Sequence, residues 1–189
     1  MKHLALVSLA ILSALSCIAA LAADPLAPAK PMIAGALPYV PIPGAAAAPD
    51  RSHVYKVIFN VTQGAAQPDQ PVAGILFAAT DLSALRSQGV AQANTKFALI
   101  FHGPGGPALG AVDALLNKQS YRAKFGVDNP NLAMLSALKQ AGVEILVCGQ
   151  FLGAMKIDPT TLSPDATIAS EAFLTLIRYQ NNGYAVLEF

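Results

Sequence analysis

Two residues of this chain have types and positions suited to chemistry, Cys148 and His102. Cys148 ends the run Val143-Glu144-Ile145-Leu146-Val147, and Gly149-Gln150 follow it. His102 ends a second apolar run, Lys96-Phe97-Ala98-Leu99-Ile100-Phe101, and Gly103-Pro104-Gly105-Gly106-Pro107 breaks the chain after it. A cysteine acts as its thiolate, which is both the nucleophile and the metal ligand. A helix opening just beyond Cys148 would aim partly positive amides at the sulfur and favour the anion. A nearby imidazole can take the thiol's proton, and the small Gly149 leaves the sulfur approachable. The bland alternatives stand beside these. A free cysteine packs as a small hydrophobe, and a histidine at a turn can be a hydrogen-bonded cap.

The other candidates are weaker. The stretch Gly103 to Gly110 is a glycine-rich turn, and such a turn leading into a helix can present amides to an anion. It has neither the Walker lysine and hydroxyl nor the dinucleotide glycine spacing. A plain turn is the simpler reading. If it binds anything, that is a small anion near Cys148, with Gly103, Gly105, Gly106, Gly149 and Arg122 as candidate contacts. Tyr121, Arg122 and Lys124 form a polar segment whose default is a solvated face or a subunit contact. A metal set of His102, Cys148 and an acid such as Asp81 has suitable donors, but no Cys-x-x-Cys or His-x-x-x-His pair supports it. No metal and no cofactor are expected.

These positions matter because of the elements that must hold them. Residues 54–61 are β-branched and aromatic, which predicts a strand. Val72, Ile75, Leu76, Ala79, Leu82 and Leu85 recur at three and four residues, which predicts a helix stopped at Gly89. Residues 96–102 predict a strand apolar on both faces, as in a parallel sheet covered by helices. A short helix over 109–118 is expected next. Asn129-Pro130 reads as the cap and first position of a helix that ends at Gly142. Strands at 143–148, 166–169 and 184–189, and helices at 151–155 and 171–182, complete the pattern. Phe173, Leu174 and Ile177 share one face of the last helix. Alternating strands and helices predict a three-layer α/β sandwich with a mainly parallel five-stranded sheet. Ligands of such sheets gather outside the carboxyl ends of the strands, where His102 and Cys148 both fall.

The N-terminus sets the compartment. Lys2 and His3 precede an apolar stretch from Leu4 to Leu21, and Ala20-Leu21-Ala22 fits a small-x-small cleavage site. Residues 1–23 are therefore read as an export signal, which would remove the other cysteine, Cys17. The location expected is the periplasm, with no membrane attachment after cleavage. The chain carries 12 Lys and Arg against 11 Asp and Glu, and losing Lys2 with the signal leaves 11 against 11. No basic patch stands out, which excludes nucleic acid as the expected partner, because such affinity rests on pairing with phosphates. Residues 24–52 are rich in Ala and Pro and read as a linker or arm. Their apolar Met32, Ile33, Leu37, Tyr39, Val40 and Ile42 are unusual for a free tether. Residues 53–189 form the folded domain.

Three stretches carry a resemblance: Phe101-His102-Gly103-Pro104, then Tyr121 to Asn131, then Leu138 to Gln150 with Gly153-Ala154-Met155-Lys156-Ile157 beyond. Across residues 53–189 the chain resembles the DsrE/DsrF-like family, most of all an exported DsrE-like branch, and is similar around Cys148 to TusD-type sulfur carriers. The resemblance implies a flavodoxin-like fold assembled as a homo-oligomer, a trimer or hexamer. It implies that Cys148 takes sulfane sulfur as a persulfide and passes it between a donor and an acceptor protein, a sulfurtransferase-like role. Export departs from the cytoplasmic relays, and His102 with its Gly/Pro turn belongs with the exported branch. A noncatalytic oligomeric module binding a small molecule or anion beside His102 and Cys148, and a redox-responsive thiol, are the alternatives.

Overall fold

The computed structural model describes residues 27–103 and 109–189. The expected signal with Cys17, and Gly105 and Gly106 of the glycine-rich turn, lie outside the described residues.

Five strands form one sheet: β1 (Tyr55–Val61), β2 (Thr95–Phe101), β3 (Glu144–Cys148), β4 (Thr167–Ala169) and β5 (Ala185–Glu188). Their order is β4-β3-β2-β1-β5, and all four pairings are parallel. The helices are α1 (Ala73–Ser87), α2 (Lys118–Phe125), α3 (Leu132–Gln140), α4 (Gly149–Met155) and α5 (Ala172–Asn181). The fold is the flavodoxin-like α/β sandwich expected. The edge place that flavodoxin gives to its second strand is taken here by the last.

Side-chain alternation along the strands sends successive residues to opposite faces. Phe59, Val61, Phe97, Leu99, Phe101, Ile145 and Val147 face the larger core. There they meet Ile75, Ala78 and Leu82 of α1, Leu135 and Leu138 of α3, and Leu152 of α4. Ile58, Ala98, Ile100, Leu146 and Cys148 face a smaller core closed by Ala172 and Leu176 of α5. The connection rule explains the split. The chain steps from β1 to β4 in one direction, so right-handed crossovers keep their helices on one face, and the return from β4 to β5 puts α5 on the other.

Several local expectations are corrected. Asn129 does not cap α3, which begins at Leu132 after Asn131. The Asn129 amide instead donates to the carbonyls of Ala114 and Leu116, and its oxygen accepts from the Asn131 N–H. Asn131 in turn accepts from the Val72 N–H at the start of α1. Buried loop carbonyls need partners, and that need outweighs the capping role.

The short helix expected over 109–118 is a tight 3-10 turn at Ala111–Leu115, and α2 follows it. Asn117 caps α2 by accepting from Ser120 N–H, and Gly126 (φ +77°) ends it. Its one buried residue, Tyr121, is too little apolar signal to reveal a helix by periodicity. α4 starts at Gly149, two residues before the expected start.

Phe173, Leu174 and Ile177 share a face, but it is the outer one, 63%, 62% and 52% exposed. The sheet side of α5 is taken by Ala172, Thr175 and Leu176.

The Pro-rich segment packs on the domain in its described part. Ile33 is 2% exposed and belongs to the larger core. The Leu37 N–H donates to Thr80 Oγ1 on α1, and Ala29 pairs with Tyr39 across the loop. Proline limits the conformations this segment loses on docking.

Candidate functional site

The register of the sheet puts the two leading residues at the ends of adjacent strands. Asn60 of β1 stands beside Glu188 of β5 and Ile100 of β2. Ile100 in turn stands beside Leu146 of β3. Two residues further along, His102 and Cys148 are level with each other at the ends of adjacent strands. The strands are about 5 Å apart. Both follow smaller-core residues by two positions, Ile100 and Leu146, and so lie on the face covered by α5. A polar row thus crosses four neighbouring strands at their carboxyl ends: Glu188, Asn60, His102, Cys148.

Cys148 is the last residue of β3 and the cap of α4 at once. Its backbone is extended (φ −69°, ψ 114°), and its Sγ accepts from the Phe151 N–H at 3.4 Å. The sulfur therefore meets a helix amide, as its place before a helix predicted. It is not open, however: Cys148 is 4% exposed and packs in the smaller core with Ala172 and Leu176. Gly149 has a different reason for being small. A Cβ there would lie 2.9 Å from the Ala169 carbonyl oxygen and 3.2 Å from Ile168 Cγ2, so β4 passes too close for a side chain.

His102 sits just past β2, and its N–H donates to the Val61 carbonyl. Its Nε2 is 2.7 Å from Asn60 Oδ1, and the Asn60 amide donates to Glu188 Oε2 at 2.7 Å. The ring meets Phe173 edge-on, with centroids 5.5 Å apart. Burial holds its pKa below the ordinary imidazole range, against the opposing charges of Glu171 and Glu188. The imidazole is therefore neutral at neutral pH and able to accept a proton. Glu171 caps α5 by accepting from the Leu174 N–H, and that bond holds its carboxyl below the usual range.

The remaining candidates sit as follows. Gly103 has φ +155°, and a Cβ there would lie 2.6 Å from the Thr62 carbonyl oxygen. The turn after β2 thus needs glycine whether or not an anion binds. Arg122 lies on α2, which packs through Tyr121 into the larger core, on the sheet face away from Cys148. It pairs with Asp128 at 2.7 Å, both side chains more than half exposed. It is not brought to the row. Asp81 lies on α1, also on the far face, and burial raises its carboxyl pKa. Among the described residues, no three of His, Cys, Asp and Glu cluster so as to hold a metal ion.

Asn60, Glu188 and Glu171 escaped the sequence reading. One signal was available: Asn60 is a lone amide inside Val57-Ile58-Phe59-Asn60-Val61, where an apolar residue is expected. An open cavity of about 550 Å³ also lies on this face, between α5 and the β3–β4 edge. Glu144, Leu146, Ile168, Leu174 and Tyr179 line it, while Cys148 does not. It runs from Glu144 at the start of β3 to Ala169 and Ser170, and Ala169 is the residue paired with Cys148 across the β3–β4 ladder.

No curated protein matches the chain in sequence. Among solved structures, a protein of unknown function, MTH1491 from Methanobacterium thermoautotrophicum, is 16% identical with a TM-score of 0.50. The match covers 71% of this chain and 99% of that one. The ychN protein from E. coli is 20% identical with a TM-score of 0.46, over 71% of this chain and 99% of that one. At such identity the first likeness shows the fold alone. The DsrE/DsrF-like family model matches residues 56–189, from β1 through the last residue of the chain, and by that match the chain belongs to the DsrE/DsrF-like family.

Proposed function

We propose that this protein handles sulfane sulfur as a persulfide on Cys148, with His102 as the proton acceptor. The observation that carries the reading is the placement of Cys148: Sγ on a helix amide, level with a neutral imidazole on the adjacent strand. Family membership, which is linked to sulfur relay, supports it. In the reaction His102 takes the thiol proton. The Cys148 thiolate attacks the outer sulfur of a donor persulfide, R–S–SH. The donor S–S bond breaks as the Cys148 S–S bond forms, R–S⁻ leaves, and the imidazolium returns the proton to it. No external oxidant is consumed. Because Cys148 is buried, loading requires the covering side of α5 or α4 to open.

The test is the intact mass of the protein after incubation with a polysulfide, beside Cys148→Ser. A gain of one sulfur, removed by reductant and missing in the variant, is the expected result. A second reading draws on the 4% exposure of Cys148, which suits an inert packing residue in a noncatalytic binding module. No sulfur gain, together with no alkylation of the folded protein, would make Cys148 a packing residue and put the binding-module reading in the lead.

Export and self-association belong to the same proposal. The basic and apolar N-terminal stretch supports export. The outward Phe173, Leu174 and Ile177 of α5, with the exposed Ile168 of β4, support a contact between copies.

A further inference from the structure

We infer that Glu188 and Asn60 act as positioning residues that lock His102 in the tautomer carrying its proton on Nε2, so that Nδ1 alone serves as the base. The inference follows from which groups can donate. An ionised carboxylate only accepts hydrogen bonds. Glu188 Oε2 lies 2.7 Å from the Asn60 side-chain amide, so the atom facing it must be the NH₂ group. The reversed amide would set two acceptors against each other at that distance. With NH₂ turned to Glu188, the Asn60 oxygen is left facing His102 Nε2, also at 2.7 Å. An amide oxygen donates nothing, so the proton of that bond sits on Nε2.

The arrangement is over-determined by the fold. Asn60 is 6% exposed and directly paired with Glu188 across the β1–β5 ladder, so its amide has little freedom to turn. His102 is anchored to β1 by its own backbone bond to Val61. The charged groups facing the ring are Glu188 from β5 and Glu171 at the start of α5. Only Glu188 reaches it through the amide. Any proton His102 takes therefore enters at Nδ1, while Nε2–H stays on Asn60 in both charge states. The use of that base on Cys148 rests on the sulfur-handling reading, but the tautomer does not.

The test is the ring ¹⁵N NMR signature of His102 in the resting protein, with no sulfur donor present. The expected signal at mildly alkaline pH is a protonated Nε2 and an unprotonated Nδ1. Glu188→Gln can present its own NH₂ to Asn60 and free the amide to turn. It should convert the single tautomer into a mixture and lower the imidazole pKa through the loss of one carboxylate. Asn60→Asp in the Glu188→Gln background should restore a fixed acceptor, keep Nε2–H and raise that pKa. A wild-type signal with the proton on Nδ1 would overturn the inference. So would a Glu188→Gln protein with an unchanged tautomer. Persulfide loading enters neither readout, so failure of the sulfur reading leaves this result intact.

Discussion

Gly149→Ala separates a packing role for this glycine from an anion-contact role. The added methyl would meet the Ala169 carbonyl oxygen at 2.9 Å, Ile168 Cγ2 at 3.2 Å and the Ser170 carbonyl oxygen at 3.4 Å. An ordinary C···O contact is about 3.3 Å or longer, so β4 must retreat by about 0.4 Å. Ile168 is half exposed and can rotate away, but the Ala169 carbonyl is backbone and cannot. Overpacking of this kind costs about 1–3 kcal/mol. Alanine in place of glycine at the start of a helix returns up to about 1 kcal/mol. The net loss expected is about 1–2 kcal/mol, or a fall in Tm of roughly 5 °C for a domain of this size. Urea unfolding measures the loss, and amide hydrogen exchange should locate it in β4, which pairs only with β3. A variant as stable as the wild type, with unchanged exchange in β4, would refute the close-approach account. Weakened anion binding at unchanged stability would instead favour the contact role.

Two further outcomes are expected. Burial keeps the folded His102 neutral while the unfolded chain takes up a proton near pH ~6.5. Stability should therefore fall as pH drops from the ordinary imidazole range toward the depressed folded value. The depressed carboxyls of Asp50, Asp158 and Glu171 act in a lower window, below pH ~4. Urea midpoints against pH should slope near pH ~6 in the wild type and flatten in His102→Gln; a wild-type curve that is flat or rises on acidification there would sink the assignment. In the second, Leu174→Asp should dissociate the proposed assembly in sedimentation analysis. Because Leu174 is 62% exposed in the single chain, the change should alter monomer stability by less than about 0.5 kcal/mol. A wild-type protein that sediments as a monomer would remove the oligomer from the proposal.

The main elements were legible because each carries a period that the fold preserves. β2 alternates between two cores and is apolar on both faces, so it reads as a central parallel strand. α1 carries its buried stripe at Ile75, Ala78, Ala79 and Leu82. α2 was not legible, since Tyr121 is its one buried residue and only Phe125 packs partly buried beside it. The cap of α3 was misread because Asn129 answers to the carbonyls of Ala114 and Leu116, which are distant in sequence from the helix it precedes.

The site divides in the same way. Sequence by itself placed Cys148 and His102 at the ends of apolar strands, since strand length and the turn residues that stop a strand are local properties. Whether those strands are neighbours is a matter of sheet order, which depends on how every crossover packs. Only the tertiary structure decided that β2 lies beside β3 and β1 beside β5. That order buries Cys148 beneath α5 and aligns Glu188 and Asn60 with His102. These are contacts between residues up to 128 positions apart, and no local pattern encodes them.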